Sequence, residues 1–150
     1  NGIELIRKLL NESQKSYDEK IEIVENLLKP TILYPKLILS LINEYKINSI
    51  SHITGGGLTE NLPRSFPESL SVEIQANSWE IPDIFKWIMN EGDIQIADMY
   101  RIFNCGIGMV IFVEDADAKE ISDKISSMSF KNYIIGKVKK KNAKNSVVFI

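Results

Sequence analysis

Apolar residues recur at helical spacing along the first 45 positions of the chain. Ile3, Ile6, Leu9 and Leu10 share one helix face, which predicts an amphipathic helix running to about Gln14. Ile21, Val24, Leu27 and Leu28 mark a second stripe, with Ser16 and Asp18 as candidate caps and Pro30 as its stop. Pro35 suits the first turn of a third helix, which runs to about Tyr45 with Ile38, Leu41 and Ile42 on its apolar side. The period then changes. Ile50 to Ile53 partly alternates and meets Gly55-Gly56-Gly57, the pattern of a strand entering a glycine turn. Leu58 to Asn61 starts a short helix that Pro63 ends.

Beyond it, Ser71 to Ile74 alternates as a strand. Pro82, Ile84, Phe85 and Ile88 predict a helix closed by Gly92, and Ile96 to Phe103 a shorter one ending at Asn104-Cys105-Gly106. Gly108 to Val113 is almost continuously apolar, which predicts a central, buried strand. Ala118, Ile121, Ile125 and Met128 mark a helix whose acidic first turn, Asp115 and Asp117, suits the helix dipole. Tyr133 to Val138 and Val147 to Ile150 predict two closing strands around a turn at Lys139-Lys140-Lys141. No repeat, low-complexity linker or internal boundary interrupts this order. The expected class is α/β in the broad sense (α+β), one domain of about five strands.

Composition removes several function classes. The 150 residues suit a single domain with a substantial core. Basic and acidic side chains number 18 and 20, so no basic field exists for wrapping nucleic acid. No apolar run approaches the roughly 20 residues of a membrane span, and no signal-peptide pattern is present. A single cysteine, Cys105, excludes an internal disulfide, and a single histidine, His52, is too few for an ordinary zinc site. The expectation is a soluble, cytoplasmic, reduced domain with neither a nucleic-acid nor a membrane partner. A chain that begins at Asn1 and has no methionine before Met89 reads as part of a longer protein. Lysine outnumbers arginine 15 to 3, which singles out Arg7, Arg64 and Arg101 as candidates for positions that need a planar fork.

Two segments carry candidate chemistry. In His52 to Arg64, three consecutive glycines let backbone N–H groups approach a ligand, and the helix start behind them adds partial positive charge. Thr54 and Thr59 offer hydroxyls beside the turn, and Arg64 follows with a bidentate fork. Spacing alone leaves two readings open: an anion cradle, or a tight strand-to-helix turn. In Met99 to Met109, Arg101 and Asn104 stand at the mouth of a strand among glycines, either shaping a cleft or simply joining a helix to a strand. Cys105 lacks an orienting third group, so a buried filler is the better reading than a nucleophile. His52 reads as a packed or hydrogen-bonded histidine. Trp79, Phe85 and Trp87 read as core or cleft wall, since no basic stripe accompanies them. The Asp115, Asp117 and Glu120 group lacks calcium-loop spacing.

The same two segments, HITGGGLTENLPR and MYRIFNCGIGMVI, closely resemble the C-terminal domain of the phosphoribosylformylglycinamidine cyclo-ligase (aminoimidazole ribonucleotide synthetase) family. Asn1-Gly2 with Leu5-Ile6-Arg7-Lys8, and Leu27-Leu28-Lys29-Pro30-Thr31 with Tyr34, resemble further stretches in the family's order. Ile3, Glu4, Ile32 and Ile102 depart from its usual residues. The resemblance implies a layered α/β domain, partly ferredoxin-like in topology, that faces an N-terminal ATP-binding domain lying outside these residues. It implies ATP-dependent closure of phosphoribosylformylglycinamidine to aminoimidazole ribonucleotide, with ADP and phosphate released, in purine biosynthesis. ATP and Mg2+ would be bound mainly by the N-terminal domain, whose sheet also forms a homodimer. It further implies that Thr54, Gly55, Gly56, Gly57 and Leu58 cradle the ribose 5-phosphate, that Asn61 and Arg64 fix substrate or neighbouring loops, and that Asn1, Gly2, His52, Arg101 and Asn104 shape the cleft. No side chain is required as a covalent catalyst, because phosphoryl transfer is catalysed mainly by positioning and electrostatics. Two alternatives stand beside this reading. One is a domain of a related ATP-dependent enzyme: formylglycinamidine synthetase, thiamine monophosphate kinase or selenophosphate synthetase. The other is a non-catalytic anion-binding or dimerisation module.

Overall fold

Local signals at the N-terminal end become helices much as the stripes predict. In a computed structural model that describes residues 2–141 and 144–150, these are α1 (Ile3–Glu12), α2 (Tyr17–Leu27) and α3 (Pro35–Glu44). Ser16 caps α2 in both directions: its Oγ accepts from the Glu19 amide, and the Glu19 carboxylate accepts from the Ser16 amide at 2.9 Å. That bond, with Lys15 alongside, lowers the Glu19 carboxyl to about 2. Pro35 opens α3, where its missing N–H costs no hydrogen bond. The second stripe is an exception. Ile21, Val24 and Leu28 are exposed and α2 buries no residue, because only its margin meets the rest of the domain.

Among the described residues five strands form, in two separate sheets. β1 (Ile47–His52) pairs antiparallel with β3 (Met109–Val113), with the register shifting between Ile47 and Ser49. β2 (Leu70–Ile74) lies between β4 (Gly136–Lys140), antiparallel to it, and β5 (Val147–Phe149), parallel to it. The predicted α+β class is therefore the one observed. Two local expectations are corrected. β3 is not a central strand: among the described residues it has a neighbour on one edge only, and all five of its residues are half-buried. The lysine turn is instead strand, since β4 runs from Gly136 through Lys140 and pairs residue for residue with β2. An ion pair from Lys139 to Glu73, diagonally across the ladder, and a bond from the Lys141 amide to the Ser69 carbonyl hold those lysines in extended backbone.

The remaining helices are α4 (Gly57–Asn61), continued by one 3-10 turn over Leu62–Ser65, α5 (Asp83–Glu91), α6 (Ile96–Ile102) and α7 (Ala118–Ser127). The main core joins α4, α5 and α6 to β2. Leu58, Leu62, Ile88, Met99 and Cys105 are fully buried in it, each Leu or Ile side chain there contributing about 1.5–3 kcal/mol. A second, smaller core packs Leu37 and Leu41 of α3 on Ile121 and Ile125 of α7. Between the two sheets lies an open groove of about 930 Å³, lined by Tyr34, Phe66, Phe112, Ile121 and Ile135 among others.

Candidate functional site

The glycine turn joins the end of β1 to the start of α4. The ladder extends one bond beyond His52, with the Ile53 amide donating to the Gly108 carbonyl at 2.9 Å. His52 and Thr54, two apart on the extended chain, are both exposed, while Ser51 and Ile53 point inward. The His52 and Tyr34 rings meet in a T-shaped arrangement at a centroid distance of 6.2 Å. Gly56 and Gly57 then take left-handed backbone conformations, φ +93° and +56°. This is what the residue type allows at little cost.

Asn61 ties the turn from below. Its buried Nδ2 donates to the carbonyls of Gly57 at 2.8 Å, Gly55 at 3.0 Å and Thr54 at 3.3 Å, and its Oδ1 accepts from the Thr54 hydroxyl. With the carbonyls drawn inward, amides are left over. The Gly57 N–H donates to the Thr54 carbonyl, but those of Gly55, Gly56, Leu58 and Thr59 find no acceptor among the described residues. Such a set of unpaired donors on a left-handed turn suits an oxyanion. Asn61→Ala is expected to destabilise the protein by roughly 2–3 kcal/mol, because three loop carbonyls lose their donor. Urea denaturation checks this. A change below about 0.5 kcal/mol would mean that the backbone holds the turn unaided.

The second segment lies directly against the first. A Cβ on Gly57 would run into the Tyr100 carbonyl and come within 2.6 Å of that of Phe103. The Thr59 hydroxyl, expected to face the turn, donates instead to the Tyr100 carbonyl at 3.3 Å, because α4 docks on α6 through that face. Gly2, with φ +66°, packs on the Phe103 ring. Arg101 leaves the last turn of α6 with its side chain 64% exposed and its Nε 4.0 Å from the Glu60 carboxylate. Asn104 makes its own turn, its Oδ1 accepting from the Gly106 amide at 3.0 Å. Cys105 is buried with φ +49°, its carbonyl accepting from the Trp79 indole N–H, and burial pushes its thiol up to about 12. A thiol so raised stays protonated at neutral pH, in keeping with a filler role.

The structure thus gathers Thr54 to Leu58, Asn61 and Arg101 around one corner, where Gly2 joins through Phe103. Leu58 offers only its amide, its side chain being fully buried in the core. Arg64 is exposed in the 3-10 turn and forms no ion pair among the described residues. Asn104 reaches no residue of the turn, and Asn1 lies outside the described residues. The open groove takes in Gly106 to Met109 but none of Thr54 to Leu58. Glu60 belongs to the corner although spacing did not single it out. The signal was available: a residue four after Gly56 on a helix sits above it.

Comparison with known proteins matches residues 1–148 to the family described as AIR synthase related protein, C-terminal domain. The chain is 38% identical over 145 residues to a phosphoribosylformylglycinamidine cyclo-ligase of Neisseria meningitidis, covering 94% of the chain and 42% of that protein. It is 40% identical over 154 residues to the cyclo-ligase of Syntrophus aciditrophicus, covering 99% of the chain and 44% of that protein. It is also 39% identical over 144 residues to a bifunctional purine biosynthetic protein of Schizosaccharomyces pombe, covering 92% of the chain and 18% of that protein. The chain therefore spans less than half the length of the curated cyclo-ligases it matches. No helix among the described residues is long and apolar enough to cross a membrane.

Proposed function

Because the chain belongs to the AIR synthase related family, as its C-terminal domain, we propose that it forms the substrate-phosphate side of an ATP-dependent cyclo-ligase of purine biosynthesis. The reaction is closure of phosphoribosylformylglycinamidine to aminoimidazole ribonucleotide. A cytoplasmic homodimer, with ATP and Mg2+ bound mainly by an N-terminal domain outside these residues, completes the proposal. The names of the relatives support the reaction. The observation that carries the phosphate assignment is the set of unpaired amides at Gly55, Gly56, Leu58 and Thr59, on a turn whose carbonyls Asn61 holds the other way.

ATP supplies the phosphoryl group that activates the formyl amide oxygen. The residues of this chain do the positioning. The turn amides donate to the ribose 5-phosphate, Arg101 complements its charge, Arg64 fixes the substrate or a neighbouring loop, and the contact of α4 with α6 fixes where the rest of the substrate lies. Orientation of this kind supplies much of the rate in reactions whose chemistry needs no nucleophilic side chain.

The test is turnover by the intact protein with phosphoribosylformylglycinamidine and ATP, compared with the same substrate lacking its 5-phosphate. The phosphate should be worth at least about 100-fold in kcat/KM, since several charge-assisted bonds go with it. No ADP formation dependent on the ribotide would overturn the reaction. Equal use of both substrates would return the glycine turn to a purely structural role.

A further inference from the structure

The Glu60 carboxylate sits where the two segments meet. A Cβ on Gly56 would lie 2.6 Å from Glu60 Oε2 and 2.7 Å from its Cβ, so the Glu60 side chain folds over the glycine and fills that space. Its other oxygen, Oε1, lies 4.0 Å from Arg101 Nε. The Glu60 amide donates to the Gly56 carbonyl at 3.0 Å, which sets the side chain's point of departure directly above the turn. Neither Glu60 nor Arg101 has another ion-pair partner among the described residues.

We infer that Glu60 is a positioning residue for Arg101, holding its guanidinium beside the glycine turn so that it meets the substrate phosphate. This rests on the phosphate reading of the turn given above. Three observations lead to it. The backbones of α4 and α6 are already locked together by Gly57 against Tyr100 and Phe103 and by the Thr59 bond, so only side chains remain to be oriented. Arg101 is long and more than half exposed, and it gives up much rotamer freedom when it binds an anion unless something restrains it beforehand. A lone carboxylate beside unpaired amides would repel an incoming phosphate. Its place there makes sense when it faces a guanidinium that presents the remaining donors of its fork to the ligand.

The inference predicts a sign opposite to that of simple charge. Glu60→Gln removes a negative charge beside an anion site, and Coulomb's law alone gives tighter binding of the ribotide. If Glu60 orients Arg101, KM for the ribotide should instead rise roughly tenfold, as expected for a coupled pair. KM for ATP should not change. The exposed pair adds little to stability, so the variant should melt close to the parent. The decisive arm repeats Glu60→Gln in an Arg101→Ala background of the intact protein, where the rise in KM should disappear and KM should stay level or fall, as charge alone dictates. An unchanged or lowered KM in the single variant would overturn the inference, as would a tenfold effect that persists without Arg101. If the parent protein does not discriminate the dephosphorylated substrate, the phosphate reading itself fails and this inference with it. Discrimination by the parent with no response to Glu60→Gln overturns the inference alone.

Discussion

Gly57→Ala should destabilise the protein by roughly 2–5 kcal/mol, more than the same change one residue earlier. Two costs coincide at Gly57. Its φ of +56° is left-handed, which charges a residue bearing a Cβ about 1–2 kcal/mol. The new methyl group would also meet the backbone carbonyls of Tyr100, in α6, and Phe103, just after it, an overpacking cost of about 1–3 kcal/mol. At Gly56 the strain is similar, and although the Glu60 carboxylate can swing into solvent, the Glu60 Cβ, 2.7 Å from the new methyl group, has to shift with the backbone of α4. Gly56→Ala should therefore cost about 1–3 kcal/mol, less than the change at Gly57. Urea denaturation of both variants, compared at unchanged m-value, makes the test. Equal midpoints would show that α6 can shift away from α4 and that the contact between the two segments is soft.

Replacing Arg64 or Arg101 by lysine should lower kcat/KM about 10- to 100-fold, although charge is conserved. A lysine ammonium cannot reproduce a bidentate fork, and charge-assisted bonds of that kind contribute about 1.5–3 kcal/mol. Both side chains are exposed, so the change should hardly disturb folding and the loss will be one of activity. Arg7→Lys is the internal control. Arg7 is exposed on α1 and forms no ion pair among the described residues. Steady-state kinetics on the three intact variants reads the comparison. Near-parental values at Arg64 and Arg101 would leave the scarcity of arginine in this chain without functional content.

Much of the helical framework was legible because a helix reports its buried face locally. Leu9 on α1, Leu41 on α3 and Ile121 with Ile125 on α7 are buried as their spacing predicts. The same logic misled at α2, where an apolar stripe exists but no neighbour covers it. Strands were harder. Gly108 to Val113 is apolar enough for the centre of a sheet, yet what lies beside a strand is a tertiary matter, and here a groove does. The lysines of β4 look like a turn until the Glu73 carboxylate across the ladder is known. At the site, the glycine turn and the family were both readable from His52 to Arg64 and Met99 to Met109. The reason Gly57 must be glycine was not, because the carbonyls it faces are more than 40 positions away.

The pairing of β2 also sets an order of events during synthesis. β1 finds β3 once residues near position 113 are made, but β2 waits for two partners, β4 and then β5. Its parallel contact joins Val72 to Val147, so one edge of β2 stays unsatisfied until nearly all of these residues have left the ribosome. Closing so long a loop is slow compared with forming the helices around α4. A nascent chain halted before β5 would display an open strand edge bearing Val72 and Ile74, the kind of surface that chaperones cover and that aggregates recruit.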